Sequence, residues 1–379
     1  MIVLKTPIIH DEYTDTAIKL FDIPKIDNSV VEIKNDLKIP NEHWKIGVIV
    51  GSSGSGKSTI IDHLSGGIKN IEWDDKLSVI SNFKSLSPEE ATNLLCSVGL
   101  SSVPVWFRPY HCLSTGEKFR ADIARSIADT QDGIIYIDEF TSVVNRDVAK
   151  ATSVSLQRYI RQSNKQIILS TCHYDVLDWI NPDWIYNTDT HKTDYPRGCL
   201  RQPRIELQLF RCKYEAWDLF KHHHYLTSSI NKSSKCFIAT LNNVPVGFIA
   251  ILSSPNRDYK NGWRVTRLVV LPDYQGLGIG KKILNHLGSL ILNNKDARLY
   301  LRSVHPKIAS HCLNNSQWKE TSTSRKKRPL LRCEKQYRDF LDKNGGTMYI
   351  EENMRVAYSF RFFGEPANDE DAKVFWDKV

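Results

Sequence analysis

The sequence predicts a two-domain chain: an α/β domain organised around a glycine-rich loop, followed by an α+β domain with a mixed sheet. Three observations lead there. The chain has 379 residues, more than one ordinary core holds. Residues 47–59 read "GVIVGSSGSGKST", an apolar run entering a glycine-rich turn and then a helix-like stretch. A second glycine-rich turn, "QGLGIG" at 275–280, follows strand and hairpin patterning. The expected division is 1–198, 203–365 and an acidic tail at 366–379, with a seam at "CLRQPRIELQ". Pro196, Gly198 and Pro203 break structure there.

Composition is that of a globular protein, 41% apolar and 25% charged. No run of 18 apolar residues appears, so a membrane span is not expected. The start, "MIVLKTPIIHDEY", lacks a signal-peptide layout. Eight cysteines without a C-x-x-C pair point to free thiols and a cytoplasmic setting. Charge is uneven. From Cys199 onward, 30 Lys+Arg stand against 17 Asp+Glu, a net of +13; the first 198 residues hold 21 against 26, a net of −5. A basic half suggests an anionic partner, nucleic acid first; a solvated basic surface is the plainer reading.

The first glycine-rich turn matches G-x-x-x-x-G-K-[ST] as Gly51, Gly56, Lys57 and Ser58. The loop residues Ser52, Ser53, Gly54 and Ser55, with Thr59 beyond, complete a backbone cradle whose N–H groups face a β-phosphate. The helix N-terminus adds positive potential. Lys57 reaches the β- and γ-phosphates of ATP, and Ser58 offers its hydroxyl to Mg²⁺. "GIIYIDEF" at 133–140 is an apolar strand ending in two carboxylates. Asp138 is placed to hold Mg²⁺ through water, and Glu139 to polarise an attacking water.

"LSTGE" at 113–117, "TSVVNRD" at 141–147 and "STCHYD" at 170–175 complete a pattern. With them the first half resembles an ATP-binding cassette (ABC) ATPase, a P-loop NTPase. The three stretches resemble its signature, D-loop and switch-histidine segments, the last at His173. The resemblance implies that Ser114 and Gly116 cap a γ-phosphate held by a second copy, in a head-to-tail homodimer. The pattern also departs from the family. No glutamine lies between Ile60 and Leu113, so the Q-loop residue has no counterpart, and the short segment argues against transport. Thr115 replaces a signature glycine and Asn145 a usual Asp. Tyr13 or Phe21 could stack on adenine, although burial in the core is the more ordinary expectation for both.

In the second half a helix is expected over "KYEAWDLFKHHHYL". The strands "KCFIATL" and "VGFIAIL" follow, joined by an "NNVP" hairpin. "RVTRLVVL" is a further strand. After "QGLGIG" an amphipathic helix places Ile279, Ile283, Leu287 and Leu290 on one side. "RLYLRSV" and "RVAYSFRFF" complete the sheet. Gly276, Gly278 and Gly280 let a pyrophosphate approach the backbone. No repeating βαβ pattern supports a dinucleotide site.

Gln275, Gly278 and Gly280, with Val270 to Pro272 before them, make residues 210–320 resemble the GNAT-family N-acetyltransferases. The resemblance implies that acetyl-CoA, or another acyl-CoA, lies on 275–280, including Ile279. Its pantetheine arm would pair with Val269, Val270 and Leu271. A base must take a proton from the attacking amine. No Glu stands in "RVTRLVVL", where many of these enzymes carry one. His224, Tyr225, His305 and Tyr358 are the candidates. A metal at "HHHY" is not expected, because neighbouring histidines on a helix diverge. "SRKKR" at 324–328, with Arg332, Lys335 and Arg338, suits either phosphates or a charged loop.

The whole layout is similar to ABC-type ATPases fused to an acetyltransferase domain. The leading expectation is ATP-dependent acyl transfer to nucleic acid or to a target bound to it. An ATP-gated clamp with a non-catalytic GNAT half and a protein N-acetyltransferase are the alternatives.

Overall fold

The computed structural model describes the chain except residues 22–23, 25, 42, 68–70, 131, 197–204, 225–228, 256–260, 295, 330–353 and 377–379. It divides into two compact units that do not follow chain order. Met1–Trp73 with Ser114–Pro203 forms the first, and Asp74–Leu113 with Arg204–Val379 the second. The expected first domain is thus interrupted by Asp74–Leu113, which packs with the second half.

Along the chain come β1 (Ile2–Pro7), α1 (Glu12–Leu20), β2 (Asn28–Ile33), β3 (Ile46–Val50) and α2 (Lys57–Ser65). The segment Asp74–Leu113 carries α3 (Pro88–Ser97) and α4 (Val103–Trp106). The first unit resumes with α5 (Thr115–Asp129), β4 (Ile134–Ile137), α6 (Arg146–Gln162), β5 (Gln166–Thr171), α7 (Val176–Ile180), β6 (Trp184–Asn187) and β7 (Lys192–Asp194).

The main sheet of the first unit is five-stranded, in the order β4-β5-β3-β6-β7. Its first four strands are parallel. Every residue of β3, "IGVIV", is buried, as a strand covered on both faces requires. Gly47 is there because Trp184 lies against it: a Cβ would sit 2.0 Å from Trp184 Cζ2. Trp44 meets the same indole edge-on, centroids 5.5 Å apart. Pairing of β1 with β2 makes a separate antiparallel ribbon. Tyr13 and Phe21, expected in the core, are 86% and 74% exposed. The helix that carries Tyr13, α1, buries none of its residues.

The second unit continues with β8 (Gln208–Cys212), β9 (Lys235–Leu241), β10 (Val244–Ser253), β11 (Gly262–Val270), α8 (Ile279–Leu292), β12 (Arg298–Ser303), α9 (Pro306–Leu313), β13 (Trp318–Glu320), β14 (Lys326–Pro329), β15 (Met354–Phe362) and α10 (Asp369–Trp376). The sheet order is β13-β15-β12-β11-β10-β9-β8, with β14 also on β15. Among the described residues of this sheet only β11 and β12 run parallel, joined through α8. The β9–β10 hairpin turns at Asn242 (φ 51°) and Asn243 (φ 64°), left-handed at both central residues as a type I′ turn needs. The expected apolar face of α8 is buried at Ile279, Ile283, Leu287 and Leu290.

The helix expected at 213–226 is instead two 3-10 turns, Tyr214–Leu219 and Lys221–His223. Three residues per turn align Trp217 and Phe220, which both pack on Phe248, at 5.2 and 5.5 Å between centroids. The acidic tail ends in α10 and docks on α8: Ala367 N–H donates to Ser289 O at 2.9 Å, and Asn293 Nδ2 to Asp369 Oδ1 at 2.9 Å. Of the basic run, Lys326–Pro329 forms β14; Arg332, Lys335 and Arg338 lie outside the described residues. Cys96, Cys112, Cys172, Cys212, Cys236 and Cys312 are all unbridged. Among the described residues no helix is long and apolar enough to cross a membrane.

Candidate functional sites

In the first unit, β3 delivers the chain to Gly51 and the loop ends at Gly56, which caps α2. Gly54 (φ 81°) and Gly56 (φ 86°) are left-handed, a conformation that costs a side-chain-bearing residue ~1–2 kcal/mol. The turn therefore curls its amides toward the start of α2, a ready anion cradle. Lys57 Nζ folds over it, donating to Gly51 O at 3.0 Å and Ser52 O at 2.6 Å. Ser58 is exposed on the first turn of α2.

Two residues that the sequence did not flag buttress this loop. Asp189, just beyond β6, accepts from Ser52 N–H at 3.0 Å and Ser52 Oγ at 2.8 Å. The Ser52 hydroxyl holds that carboxyl below the usual carboxylate range. Thr188 Oγ1 lies 2.6 Å from Ser55 Oγ. They arrive there because β6 pairs directly with β3.

Strand β5 separates β3 from β4, so the tips of all three lie at one sheet edge. Ser170, at the tip of β5, donates to the Asp138 carboxylate and accepts the Glu139 N–H at 3.0 Å. Glu139 takes a left-handed backbone (φ 48°) and stays exposed. His173 follows β5, half-buried, with its N–H on Thr171 Oγ1 at 3.1 Å. A hydroxyl at Ser58 and a carboxylate at Asp138 are hard oxygen donors, a set that fits Mg²⁺.

Ser114 caps α5 in a reciprocal box with Glu117; Ser114 N–H donates to the Glu117 carboxylate at 2.8 Å. Ser114 and Thr115 are exposed, and Gly116 faces Val148, with a Cβ there 3.4 Å from Cγ1. Asn145 caps α6, accepting from Val148 N–H at 2.9 Å. An N-cap accepts Asn as readily as Asp, which explains that departure.

In the second unit, β11 pairs with β12 only from Gly262 to Arg264; the ladder stops at Arg264–Tyr300 although both strands continue. Beyond that point β11 stays on β10, with Leu271 N–H on Val246 O at 2.9 Å. Strand alternation then turns the polar groups of Val270 to the parted side. Gln275 agrees with this: its Nε2 donates to Val270 O at 3.0 Å. Gly276 (φ 95°) and Gly278 (φ 83°) are left-handed, and Gly278 caps α8. Gly280 has room for a Cβ, nearest Val270 Cγ2 at 3.6 Å. A parted strand beside a glycine-capped helix N-terminus leaves backbone donors open to an anion.

The candidate bases are scattered. Tyr225 lies outside the described residues. His224 follows the second 3-10 turn with its ring 5.4 Å from Trp217. His305 caps α9 at the open end of β12, its N–H on Ser303 Oγ at 3.0 Å. Its Nε2 lies 3.2 Å from Ser101 O; a carbonyl only accepts, so this nitrogen carries the proton. Burial lowers its pKa, keeping the ring neutral. Tyr358 pairs with Ser303 across β12–β15 and stacks on Phe360 at 6.3 Å. Burial pushes the thiol of Cys212 to about 12 and that of Cys236 to about 11, so neither is a thiolate near neutrality.

Residues 232–316 match the family model described as an acetyltransferase (GNAT) domain. A comparison with curated proteins found no match. Among solved structures, the chain is similar to the ATP-binding cassette MJ0796 in a dimeric post-hydrolysis state bound to ADP and Pi. That match has 18% identity, covers 46% of this chain and 91% of that one, and has a TM-score of 0.34. It is also similar to CbiO1 from Clostridium perfringens, part of the ABC transporter complex CbiONQ. There the identity is 18%, the coverage 43% and 77%, and the TM-score 0.30.

Proposed function

We propose that the chain is an ABC-type ATPase coupled to an acyl-CoA-dependent N-acyltransferase. The observation that carries the acyl-transfer half is the parting of β11 from β12 after Arg264, beside the Gly278-capped start of α8. The acyl-CoA pyrophosphate rests on 275–280 and the pantetheine arm lies along Val269 to Leu271. Val270 N–H, turned to the parted side, stabilises the thioester oxygen as it gains charge. The acceptor amine attacks the thioester carbon, a C–N bond forms as the C–S bond breaks, and the proton the amine loses ends on the departing thiolate. Tyr358 and His224 stay as candidates for handling the amine proton.

In the first unit the loop from Gly51 to Lys57 holds ATP phosphates. Ser58 and Asp138 would hold Mg²⁺, which supplies charge neutralisation on the phosphates. Glu139 orients and deprotonates the attacking water, and His173 approaches the γ-phosphate. Ser114 and Gly116, exposed or half-exposed at the start of α5, cap the nucleotide of a second copy. We place the acceptor on nucleic acid or on a target bound to it, because the chain from Cys199 carries a net +13.

One observation favours a second reading, an ATP-gated regulator whose GNAT half binds without turnover: His305, a candidate base, has Nε2 engaged by Ser101. Mass spectrometry of DNA, RNA and protein from cells expressing wild type or Gly278→Glu decides. The proposal expects an acyl mark on nucleic acid, or on its bound protein, in wild type alone. No mark in either sample favours the regulator.

A further inference from the structure

The acyl-CoA cradle is not built from the GNAT segment alone. Ser101, from the Asp74–Leu113 segment that precedes the signature helix, has both its main-chain polar groups taken by side chains of the second half, one from the cradle and one from the cap of α9. Its N–H donates to Gln275 Oε1 at 2.9 Å, and its C=O accepts from His305 Nε2 at 3.2 Å. Gln275 meanwhile holds Val270 O through Nε2 at 3.0 Å. One amide side chain therefore links Ser101 to the strand edge along which the acyl-CoA arm lies. A third tie flanks these: Lys307 Nζ reaches Ser97 Oγ at 3.3 Å, and α3 lies against α9.

The Asp74–Leu113 segment is tied together internally. Trp106 Nε1 donates to Leu100 O at 2.8 Å, and Val79 N–H to Arg108 O at 2.9 Å. Asn82 Oδ1 accepts from Asp74 N–H at 2.9 Å. Leu95, Val98, Leu100, Val105 and Trp106 are buried. A close-packed segment transmits a displacement instead of absorbing it. Its last residue, Leu113, runs directly into Ser114, the cap of the signature helix α5. A change at Ser114 on nucleotide binding thus has a short covalent path to Ser101.

We infer that Ser101 is a positioning residue of the acyl-CoA site, and that through it ATP binding and acyl-CoA binding are energetically linked. This rests on the reading of 275–280 as an acyl-CoA cradle. Linkage is reciprocal, so a Mg²⁺-bound non-hydrolysable ATP analogue must change the acetyl-CoA Kd by the same factor that acetyl-CoA changes the analogue's Kd.

The test is calorimetric titration of the full chain with acetyl-CoA, with and without AMP-PNP and Mg²⁺, and the reverse pair of titrations. The expected result in wild type is equal factors in both directions, about fivefold or more. Ser101→Pro, which deletes the N–H donor, should bring the factor to about one while both ligands still bind. Lys307→Ala, which leaves Ser101 intact, should reduce it partially and serves if the proline variant does not fold. Acetyl-CoA binding in wild type with a factor of one overturns the linkage and leaves the cradle standing. So does a Ser101→Pro protein, folded and binding both ligands, that keeps the wild-type factor. No acetyl-CoA binding in wild type sinks the cradle and the linkage together.

Discussion

Ser170 stands between the two acidic residues of the proposed ATP site, its hydroxyl donating to the Asp138 carboxylate and accepting the Glu139 N–H at 3.0 Å. Ser170 is fully buried, so nothing else replaces it in Ser170→Ala. The variant should lose ~1–3 kcal/mol of stability. It should hydrolyse ATP about tenfold more slowly, ~1.4 kcal/mol at the barrier, with ATP affinity little changed. Steady-state ATPase assays and thermal unfolding check this.

Glu139→Gln should slow hydrolysis by ~10²–10⁴ because an amide cannot take the water's proton. ATP would then persist, and the two-copy arrangement with it. Analytical ultracentrifugation with Mg²⁺ and ATP should show a dimer in this variant. A monomer at saturating ATP contradicts the proposed role of Ser114 and Gly116 in trans.

The contact of Gly47 with Trp184 predicts a coupled pair. Gly47→Ala places a Cβ 2.0 Å from Trp184 Cζ2 and should cost ~1–3 kcal/mol. Trp184→Phe removes the atoms that clash. Combined with Gly47→Ala it should lose less than the two single changes added together. Additive losses in thermal unfolding would show that the crowding does not exist.

His305 and His311 both have pKa values lowered by burial, with Lys307 and Lys281 nearby acting in the same direction. Their folded values lie below the ordinary 6.5. The unfolded chain therefore binds these protons more tightly than the folded one. Stability from the two rings is complete above 6.5 and is lost as pH falls through the lower folded values. Each tenfold difference in proton affinity between the two states corresponds to ~1.4 kcal/mol. Tm should fall between about pH 7.5 and about pH 5.5, and fall less in His305→Gln. An equal fall in wild type and variant would remove His305 as a source.

Much of the local backbone geometry was legible in the sequence. Positive-φ glycines, a lysine opening a helix and a strand ending in Asp138–Glu139 each carry their geometry in residue type and spacing. The asparagine pair at 242–243 did the same for the hairpin. The residues that hold the sites together were not legible. Asp189 and Ser170 act because β6 and β5 pair where they do, a fact of strand order and not of local pattern. Ser101 acts through its backbone, which every residue has, so no side-chain type marks it. For the same reason the packing of Asp74–Leu113 with the second half could not be anticipated from motifs placed on either side of it. Tyr13 and Phe21 were expected inside on hydrophobicity alone, but the terminal ribbon and α1 leave both exposed.

The most direct test of two separate diphosphate cradles is calorimetric titration of wild type, Gly278→Ala and Gly278→Glu with acetyl-CoA and with Mg²⁺-ATP. Gly278→Ala carries the strain of φ 83° without charge, and so isolates the electrostatic effect. Acetyl-CoA should bind wild type, bind Gly278→Ala more weakly and not bind Gly278→Glu, while all three bind ATP. Acetyl-CoA that fails to bind wild type, or binds Gly278→Glu as tightly as wild type, would contradict the account.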